Sequence, residues 1–389
     1  MHGSPAWRSG RLRLAGRLAL ALIWLVGRAT GSEGDADAGF RSCWATCQHT
    51  GCAQLPGSDA KNCAVACPGN GYEVPPALRA TQWDCRSDCA YACMWARERA
   101  KQQRSQHGEP DGAYRVVKYF GKWPFVRLLG MQEPASVLFS LANLGAHAHC
   151  LAQLLAAHAA LGAAAGAGAG AGKASPPQRG GAAGAGAGAG QAGYPFLWVW
   201  VLYAGASMNA WVWSAVFHSR DTRATERLDY LVGADVLVAV SLYTTVVRVA
   251  GLTGAGRCGA VAGLLGCGLA RHAYHMLAVK FDYGYNVGLC IALGLGQGVA
   301  WLAWVTRVRH PGRWRMYQFL GAVHVAMLLE VLDFPPLGWA VDAHAAWHAA
   351  TAPLTYLWYG FVRADMAWLM QQPHAAAAAA AAGGSKRKI

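Results

Sequence analysis

Charged residues are scarce in this chain of 389 residues. Asp, Glu, Lys and Arg together make up 14% of it, against about 25% in an average soluble protein. Hydrophobic residues reach 54%, with 17 Trp and 14 Tyr. So few charges cannot cover the surface of two or three soluble domains. The composition therefore excludes an ordinary soluble protein and indicates a chain that lies mostly in a membrane.

The sequence also lacks a folded basic surface that would explain its net charge of +14. Nucleic-acid binding requires Lys and Arg clustered on one face of a domain. Five of the arginines instead lie in the first 31 residues, and many others lie between hydrophobic segments near the cytosolic side predicted below. We therefore expect no nucleic-acid partner, and we interpret the positive charge as a signal of membrane orientation.

Residues 1–31 have the pattern of a secretory signal peptide. Basic residues between Arg8 and Arg17 precede an apolar run from Leu18 to Val26, and small residues follow it. The run is shorter than the roughly 20 apolar residues that cross a bilayer. We predict cleavage near residue 31, with an uncleaved signal anchor as the alternative.

Residues 32–133 are expected to form a disulfide-rich lumenal domain. The stretch has few large apolar residues, and after a signal peptide such a segment is usually held together by disulfides. A zinc ribbon is a weaker alternative, because most spacings are CxxxC rather than CxxC. The four later cysteines are expected to be small buried hydrophobes. Eight of the 12 Cys lie here, at Cys43, Cys47, Cys52, Cys63, Cys67, Cys85, Cys89 and Cys93.

Residues 134–365 alternate long apolar stretches with short polar connections, which predicts a seven-helix transmembrane bundle. The whole fold is therefore expected to be all-α. An Ala/Gly tract at 161–193 is interpreted as a flexible linker and residues 366–389 as a cytosolic low-complexity tail. The predicted spans are Ala135–Ala159, Tyr194–His218, Leu228–Ala250, Cys258–Val279, Gly284–Thr306, Trp314–Leu332 and Gly338–Phe361.

Two independent arguments give the same orientation. A cleaved signal peptide places the cysteine-rich region in the lumen, and seven spans then place the C-terminus in the cytosol. The connections assigned to the cytosol carry twelve basic residues, among them Arg248, and the short lumenal ones carry four. This bias agrees with the positive-inside rule.

A few polar residues lie where the segments reach the lumenal face. Ser214 and His218 are four residues apart on the second segment, and His344 and His348 have the same spacing on the seventh. Each pair therefore shares one helix face. Asp229 opens the third segment at the same face. Three imidazoles with an open fourth position suit catalytic Zn²⁺, and a nearby carboxylate can act as general base or orient a ligand.

Other polar residues of the bundle are expected to be structural. Asp342 precedes the HxxxH motif and is a weaker candidate for orienting a ligand. Glu330 and Asp333 end the sixth segment. Their candidate ion-pair partners are Arg220 and Arg223. The remaining membrane histidines, which have no carboxylate partner that the sequence identifies, are His147, His149, His158, His272, His275 and His324.

The SxxxH motif, the Asp eleven residues after that His and the late HxxxH motif resemble the superfamily of alkaline ceramidases and adiponectin-type receptors. Longer stretches resemble one branch more closely, the post-GPI attachment to proteins factor 3 family of GPI-anchor lipid remodelling. The resemblance covers about Cys43 to Asp365, and the Ala/Gly tract and poly-Ala tail depart from it. The stretches that carry it are Trp83–Trp95, Gly121–Arg127, Gln132–Ser136, Asn209–Asp221 and Glu330–Pro336.

The resemblance implies a zinc-dependent hydrolase of the phospholipase A2 type in the Golgi or endoplasmic reticulum. Its substrate would be the lipid of GPI-anchored proteins, from which it would remove the unsaturated sn-2 acyl chain. His218, His344 and His348 would hold the metal, Asp229 would accept a proton, and Ser214 would donate a hydrogen bond or, less favoured, act as nucleophile. A ceramidase-type amidohydrolase and a non-catalytic receptor or scaffold are the alternatives.

Overall fold

The computed structural model describes residues 32–50, 76–107, 114–170 and 193–385. The predicted signal peptide, most of the Ala/Gly tract and the final four residues lie outside the described residues, as do Cys52, Cys63 and Cys67. The described part is helical, and its β-structure is limited to three isolated bridges. The all-α prediction is therefore confirmed for these residues.

Disulfides hold the N-terminal region together. Cys43–Cys93 and Cys47–Cys89 join the second helix of this region to the fourth. In each helix the cysteines lie four residues apart, so both bonds form along one face. Cys85 is disulfide-bonded as well. These bonds confirm the disulfide prediction and exclude the zinc ribbon for these five residues. The helices are α1 (Glu33–Ala36), α2 (Ala38–Thr50), α3 (Pro76–Ala80) and α4 (Cys85–Gln106).

Seven long helices follow, one for each predicted hydrophobic segment. Two of them contain a π-helical section, at Leu228–Asp235 and at His275–Val279. A π-helical section has a wider turn than an α-helix and occurs frequently at functional sites. The helices are α5 (Pro134–Gly170), α6 (Leu197–Ser219), α7 (Arg223–Val249), α8 (Ala255–Tyr274, continued to Val279), α9 (Tyr283–Arg307), α10 (Arg313–Leu332) and α11 (Ala343–Ser385).

Six of these helices close a ring. Contacts run from α5 to α6, α7, α9, α10, α11 and back to α5, while α8 packs mainly against α7. Aromatic side chains fill the ring in one half of the bundle, where Trp200, Trp301 and Trp358 meet edge to face with Phe361. The other half contains the histidine cluster described below.

Three helices, α5, α7 and α9, are long and apolar enough to cross a membrane by length and composition. Trp, His and charged residues lower the mean hydropathy of the other four. The structure thus supports a membrane protein, and the number of crossings stays a prediction.

The largest differences from the predicted spans are at the last helix and at the end of α5. The last helix begins at Ala343 and not at Gly338, because residues 337–341 form a turn closed by a bridge between Leu337 and Val341. It continues to Ser385, so the poly-Ala run is helical, consistent with the high helix propensity of Ala. The first residues of the Ala/Gly tract, to Gly170, likewise extend α5.

The placement of Arg248 also requires correction. The sequence assigned it to a cytosolic connection, whereas its side chain is buried near the end of α7. Its guanidinium pairs with the buried Asp365, which also accepts hydrogen bonds from His310 and Tyr194. This network joins α7 and α11 to the segment before α6 and to the connection between α9 and α10, at the end of the bundle opposite His218.

Candidate metal centre

His218 lies at the end of α6, where the chain before α5 fixes the last turn. The backbone N–H groups of Gln132 and Glu133 donate to the carbonyls of Ser219 and His218, at 2.9 and 3.0 Å. The final carbonyls of a helix have no partner within it, so these two bonds hold the residues just before α5 against the last turn of α6. His218 is 3% exposed.

His344 and His348 occupy the first two turns of α11. Asp342 caps this helix, since its Oδ1 accepts the backbone N–H of Ala345 at 2.8 Å. Asp342 therefore has a helix-capping contact, and the structure gives it none with the histidines. The spacing of four residues places both rings on the face toward α6. His348 is 2% exposed, whereas the side chain of His344 is 36% exposed, so the cluster is open on one side.

The Nε2 atoms of the three rings converge. Nε2 of His344 lies 3.3 Å from Nε2 of His218 and 2.9 Å from Nε2 of His348. All three ligand atoms lie within 4.8 Å of one another, and this is the one such group among the described residues. The structure thus brings together the three histidines that the sequence spacing predicts as metal ligands.

Each Nδ1 atom faces a separate partner. His218 donates to Oε2 of Glu133 at 2.8 Å, and His344 donates to Oε2 of Glu330 at 2.8 Å. Nδ1 of His348 lies 3.0 Å from the hydroxyl of Ser140. Because ionised carboxylates only accept hydrogen bonds, the proton of His218 and of His344 is on Nδ1. The lone pair on Nε2 is then directed into the cluster.

This donor set fits a metal ion. Lone pairs that face each other at 2.9 and 3.3 Å repel, and a shared cation removes the repulsion. Tetrahedral Zn²⁺ with Zn–N distances of about 2.0–2.1 Å would separate neighbouring nitrogens by about 3.3 Å. Metal-ligating histidines almost always donate their other N–H to a carboxylate, carbonyl or water. His218 and His344 have carboxylate partners of this kind, and His348 has the hydroxyl of Ser140 in the same position.

Lys122 and Glu133 form a partly buried ion pair beside His218. Burial opposes ionisation of Glu133, but the Lys122 ammonium and His218 outweigh it and hold the pKa of this carboxyl well below its usual range. Burial likewise disfavours the ammonium, yet Glu133 and Asp221 raise the pKa of Lys122. Glu133 is therefore a carboxylate that accepts from His218 on one oxygen and from Lys122 on the other.

Asp229 lies in the π-helical section of α7 and is partly buried. It is close enough to His344, Lys122 and Glu133 for their charges to interact. No hydrogen bond or ion pair of its carboxylate is present within the described part of the chain. The group predicted to accept a proton is thus near the cluster and not committed to another partner.

Ser214 lies behind His348 and not at the point where the Nε2 atoms meet. Its hydroxyl is 3.0 Å from that of Ser140, which donates to the carbonyl of Ser136. Ser140 therefore accepts hydrogen bonds from both Ser214 and His348 in this arrangement. Ser214 is therefore connected, through Ser140, to His348. To contact a reacting water or oxyanion as predicted, the Ser214 hydroxyl would have to break its hydrogen bond to Ser140.

Sequence reasoning missed the residues that orient the imidazoles, Glu133 and Ser140, and gave Glu330 the wrong partner. Glu330 contacts His344, whereas an ion pair with Arg220 or Arg223 was expected. The Gln-Glu-Pro stretch at 132–134 was the available signal for Glu133, because it precedes a helix at the predicted lumenal face.

Two further expectations require correction. Asp333 pairs with Lys118, at 2.6 Å, and not with Arg220 or Arg223. His272 does have a carboxylate partner, Asp235, 3.1 Å away, and it also lies 2.8 Å from Oδ1 of Asn286. A carboxylate and an imidazole on different helices can be paired only by the tertiary fold, which the sequence pattern did not specify.

Comparison with known proteins identifies the relatives of this chain. The Per1-like family model matches residues 75–366, which include the three histidines, Glu133 and Asp229. The chain belongs to the Per1-like family. The family resemblance seen in the sequence is thereby confirmed. No solved structure matches this Per1-like chain.

Named relatives of this Per1-like protein cover nearly its whole length. A Danio rerio protein named GPI-specific phospholipase A2-like PGAP3 is 33% identical over 357 residues, 91% of this chain and 96% of the relative. The Homo sapiens protein of the same name is 32% identical over 360 residues, 91% and 97% of the two chains. A Drosophila melanogaster protein named post-GPI attachment to proteins factor 3 is 31% identical over 344 residues, 88% and 91%.

Proposed function

We propose that this Per1-like protein remodels the lipid of GPI-anchored proteins as a zinc-dependent hydrolase of the phospholipase A2 type. It would cleave the ester of the unsaturated sn-2 acyl chain of the phosphatidylinositol. The observation that carries the proposal is the convergence of three Nε2 atoms whose opposite nitrogens are each fixed by a partner. The names of the relatives support the substrate.

His218, His344 and His348 would hold the ion, and Glu133, Glu330 and Ser140 would keep each ring in its orientation. When bound, Zn²⁺ supplies a Lewis acid that makes water a nucleophile near neutral pH. The partial exposure of His344 leaves one side of the site accessible to an ester. A closed structural zinc site would instead use four protein ligands.

Asp229 would act as the general base. Its carboxylate is near His344 and lacks a competing partner among the described residues, so its oxygens can accept a proton from the attacking water. Ser214 would support catalysis by its hydrogen bond to Ser140, or by donating to the oxyanion once released from it. Ser214 as covalent nucleophile is the weaker version, because Ser140 and not a base faces its hydroxyl.

The proposed topology matches the proposed substrate. We propose a signal peptide at 1–31, a lumenal cysteine-rich domain at 32–133, seven transmembrane helices within 134–365 and a cytosolic C-terminus. The metal centre would then lie at the lumenal face of a Golgi or endoplasmic-reticulum membrane. GPI anchors are in the lumenal leaflet, so this orientation would give the site access to them.

The proposal is tested in cells that lack this protein. Re-expressed wild-type protein should restore saturated lipid on GPI-anchored proteins, whereas His218→Ala and His344→Ala should leave the unsaturated sn-2 chain in place, measured by mass spectrometry. The matched control is His324→Ala, since His324 is exposed on α10 and its Nδ1 bonds the carbonyl of Leu320, away from the three-histidine cluster.

The same experiment separates the alternatives. Accumulation of ceramide with normal GPI lipid in the cells that lack the protein would support a ceramidase. Normal levels of both lipids would favour a receptor or scaffold. Full remodelling by His218→Ala at normal expression would falsify the site.

A further inference from the structure

Lys122 reaches the metal centre from a tight turn that belongs to the N-terminal region. Tyr119 and Lys122 exchange two backbone hydrogen bonds, at 2.8 and 3.0 Å. The two residues between them, Phe120 and Gly121, have φ of 49° and 81°. Positive φ at both central positions is the type I′ geometry of two-residue hairpins. The turn therefore has one well-defined conformation, which sets the direction of the Lys122 side chain.

Three hydrogen bonds to residues 32–35 hold this turn in place. The backbone N–H of Phe120 donates to Asp35 at 2.7 Å, and that of Gly121 donates to Ser32 at 2.6 Å. The N–H of Gly34 donates to the carbonyl of Lys118 at 3.0 Å. All three contacts come from one end of the N-terminal region, so the turn follows the position of that region.

The two disulfide-linked helices, α2 and α4, contact the turn through Tyr119. The ring of Tyr119 packs on Phe40 of α2 with centroids 5.0 Å apart, and its hydroxyl donates to Glu98 of α4 at 2.9 Å. Cys43–Cys93 and Cys47–Cys89 join these same two helices. A continuous set of contacts thus runs from the disulfides to Tyr119 and on to Lys122.

The Lys122 ammonium has three partners at the other end. It pairs with Glu133, lies 3.4 Å from Oδ2 of Asp221 and sits 4.1 Å from the centre of the Phe217 ring. Glu133 binds Lys122 through Oε1 and His218 through Oε2. One carboxylate therefore connects the N-terminal region to a predicted metal ligand.

We propose that Lys122 is a positioning residue of the metal centre, supplied by the disulfide-rich region. It fixes Oε1 of Glu133, so that Oε2 remains on Nδ1 of His218 and the Nε2 lone pair of His218 points at the ion. The N-terminal region is then part of the metal-binding structure rather than a separate lumenal module. This inference rests on the metal centre of the proposed function.

Two effects of Lys122 oppose each other. Its positive charge repels a divalent cation nearby, so removing the charge alone would tighten metal binding. Its ion pair with Glu133 keeps the imidazole of His218 in the orientation that binds metal. Loss of such a supporting contact typically costs about 10–100-fold in metal affinity. The proposal is that ordering outweighs repulsion, which gives the experiment a definite sign.

The test measures the zinc dissociation constant of purified full-length protein by competition with a chromogenic chelator. Lys122→Met, which keeps the length of the aliphatic chain, should weaken zinc binding about 10–100-fold, and Lys122→Arg should restore most of the affinity. Arg115→Met is the control, because Arg115 lies in the same segment and forms an exposed ion pair with Glu33.

A double-mutant cycle shows whether Lys122 acts through Glu133. In the Glu133→Gln background, Lys122→Met should cause no further loss of zinc affinity. A merely structural Lys122 would lower the melting temperature and leave the zinc dissociation constant of the folded protein unchanged. Thermal melts of each variant make that comparison.

The outcomes distinguish the two proposals. Wild-type protein that binds zinc while Lys122→Met binds it equally or more tightly overturns the role of Lys122 and leaves the proposed function standing. Additive losses in the cycle also overturn it. Wild-type protein that binds no zinc overturns both.

Discussion

Which imidazole nitrogen carries the proton determines whether the three-histidine cluster can bind a metal ion. Glu133 and Glu330 accept from Nδ1 of His218 and His344, which leaves Nε2 of both rings directed inward. Had Nε2 carried the proton, the three rings could not share a cation. The carboxylates therefore select the tautomer, and they sit on elements far apart in the chain.

The ligands were accessible to sequence reasoning and their supports were not. His344 and His348 share a helix face at a spacing of four, which a sequence shows directly. Glu133 precedes His218 by 85 residues, and only the tertiary fold brings the two together. Lys122 depends in addition on a turn conformation with two positive φ angles, which hydropathy patterns do not encode.

Asp229→Asn tests the general base at the residue scale. The substitution preserves shape and removes the proton acceptor, so the rate of sn-2 ester hydrolysis by purified protein should fall about 10²–10⁴-fold. Bound zinc should stay at the wild-type level. Asp282→Asn is the control, because Asp282 pairs with Lys280 in an exposed connection. An unchanged rate, or loss of zinc, would contradict the assigned role.

Among the secondary-structure elements, the π-helical section of α7 has the most direct bearing on the site. It begins at Leu228, one residue before Asp229, and ends at Asp235, the partner of His272. Asn209 of α6 donates its side-chain amide to the carbonyl of Val232 at 2.5 Å. This bond satisfies a carbonyl of the widened turn from a neighbouring helix.

Hydropathy alone predicts that seven long helices are present, whereas it does not predict their π-helical sections or where each helix begins. Each of the seven apolar segments corresponds to one helix, since a run of that length can satisfy its backbone only within itself in a bilayer. The π-helical sections were not predicted, because an inserted residue leaves the apolar pattern nearly unchanged. The start of α11 at Ala343 was set by the Asp342 cap rather than by hydropathy.

The substitution Asn209→Leu tests the role of the π-helical section of α7. Without its donor the Val232 carbonyl loses a partner, so the free energy of unfolding should fall by about 0.5–1.5 kcal/mol, the net contribution of one hydrogen bond. Because the turn also carries Asp229, the hydrolysis rate should fall while bound zinc is unchanged. Thr306→Val is the control, as the Thr306 hydroxyl bonds the Leu302 carbonyl and the Tyr317 hydroxyl at the other end of the bundle, far from Asp229. A wild-type rate in Asn209→Leu would rule out this role.

At the scale of the whole molecule, two polar networks occupy opposite ends of one bundle. The histidine cluster lies where α6 ends and α11 begins, and the Arg248–Asp365 network lies where α7 ends. The aromatic core separates them. Which end faces the lumen stays a prediction, in which the metal centre is lumenal and most basic residues are cytosolic.

The N-terminal region joins the bundle at the metal-binding end. Lys118 pairs with Asp333, and Trp123 donates to the same carboxylate at 3.1 Å. The backbone N–H of Val126 donates to the carbonyl of Trp339, between α10 and α11. These contacts flank Glu330 and His344, so the disulfide-linked region braces both carboxylates that orient the imidazoles.

Metal content tests the central claim most directly. Full-length protein purified in detergent without chelator should contain about one zinc per chain by elemental mass spectrometry, as expected for a single three-histidine site. His344→Ala should lose most of it, and His324→Ala should retain it. Metal-free wild-type protein, or His344→Ala with undiminished zinc, would contradict a metal centre built on His218, His344 and His348.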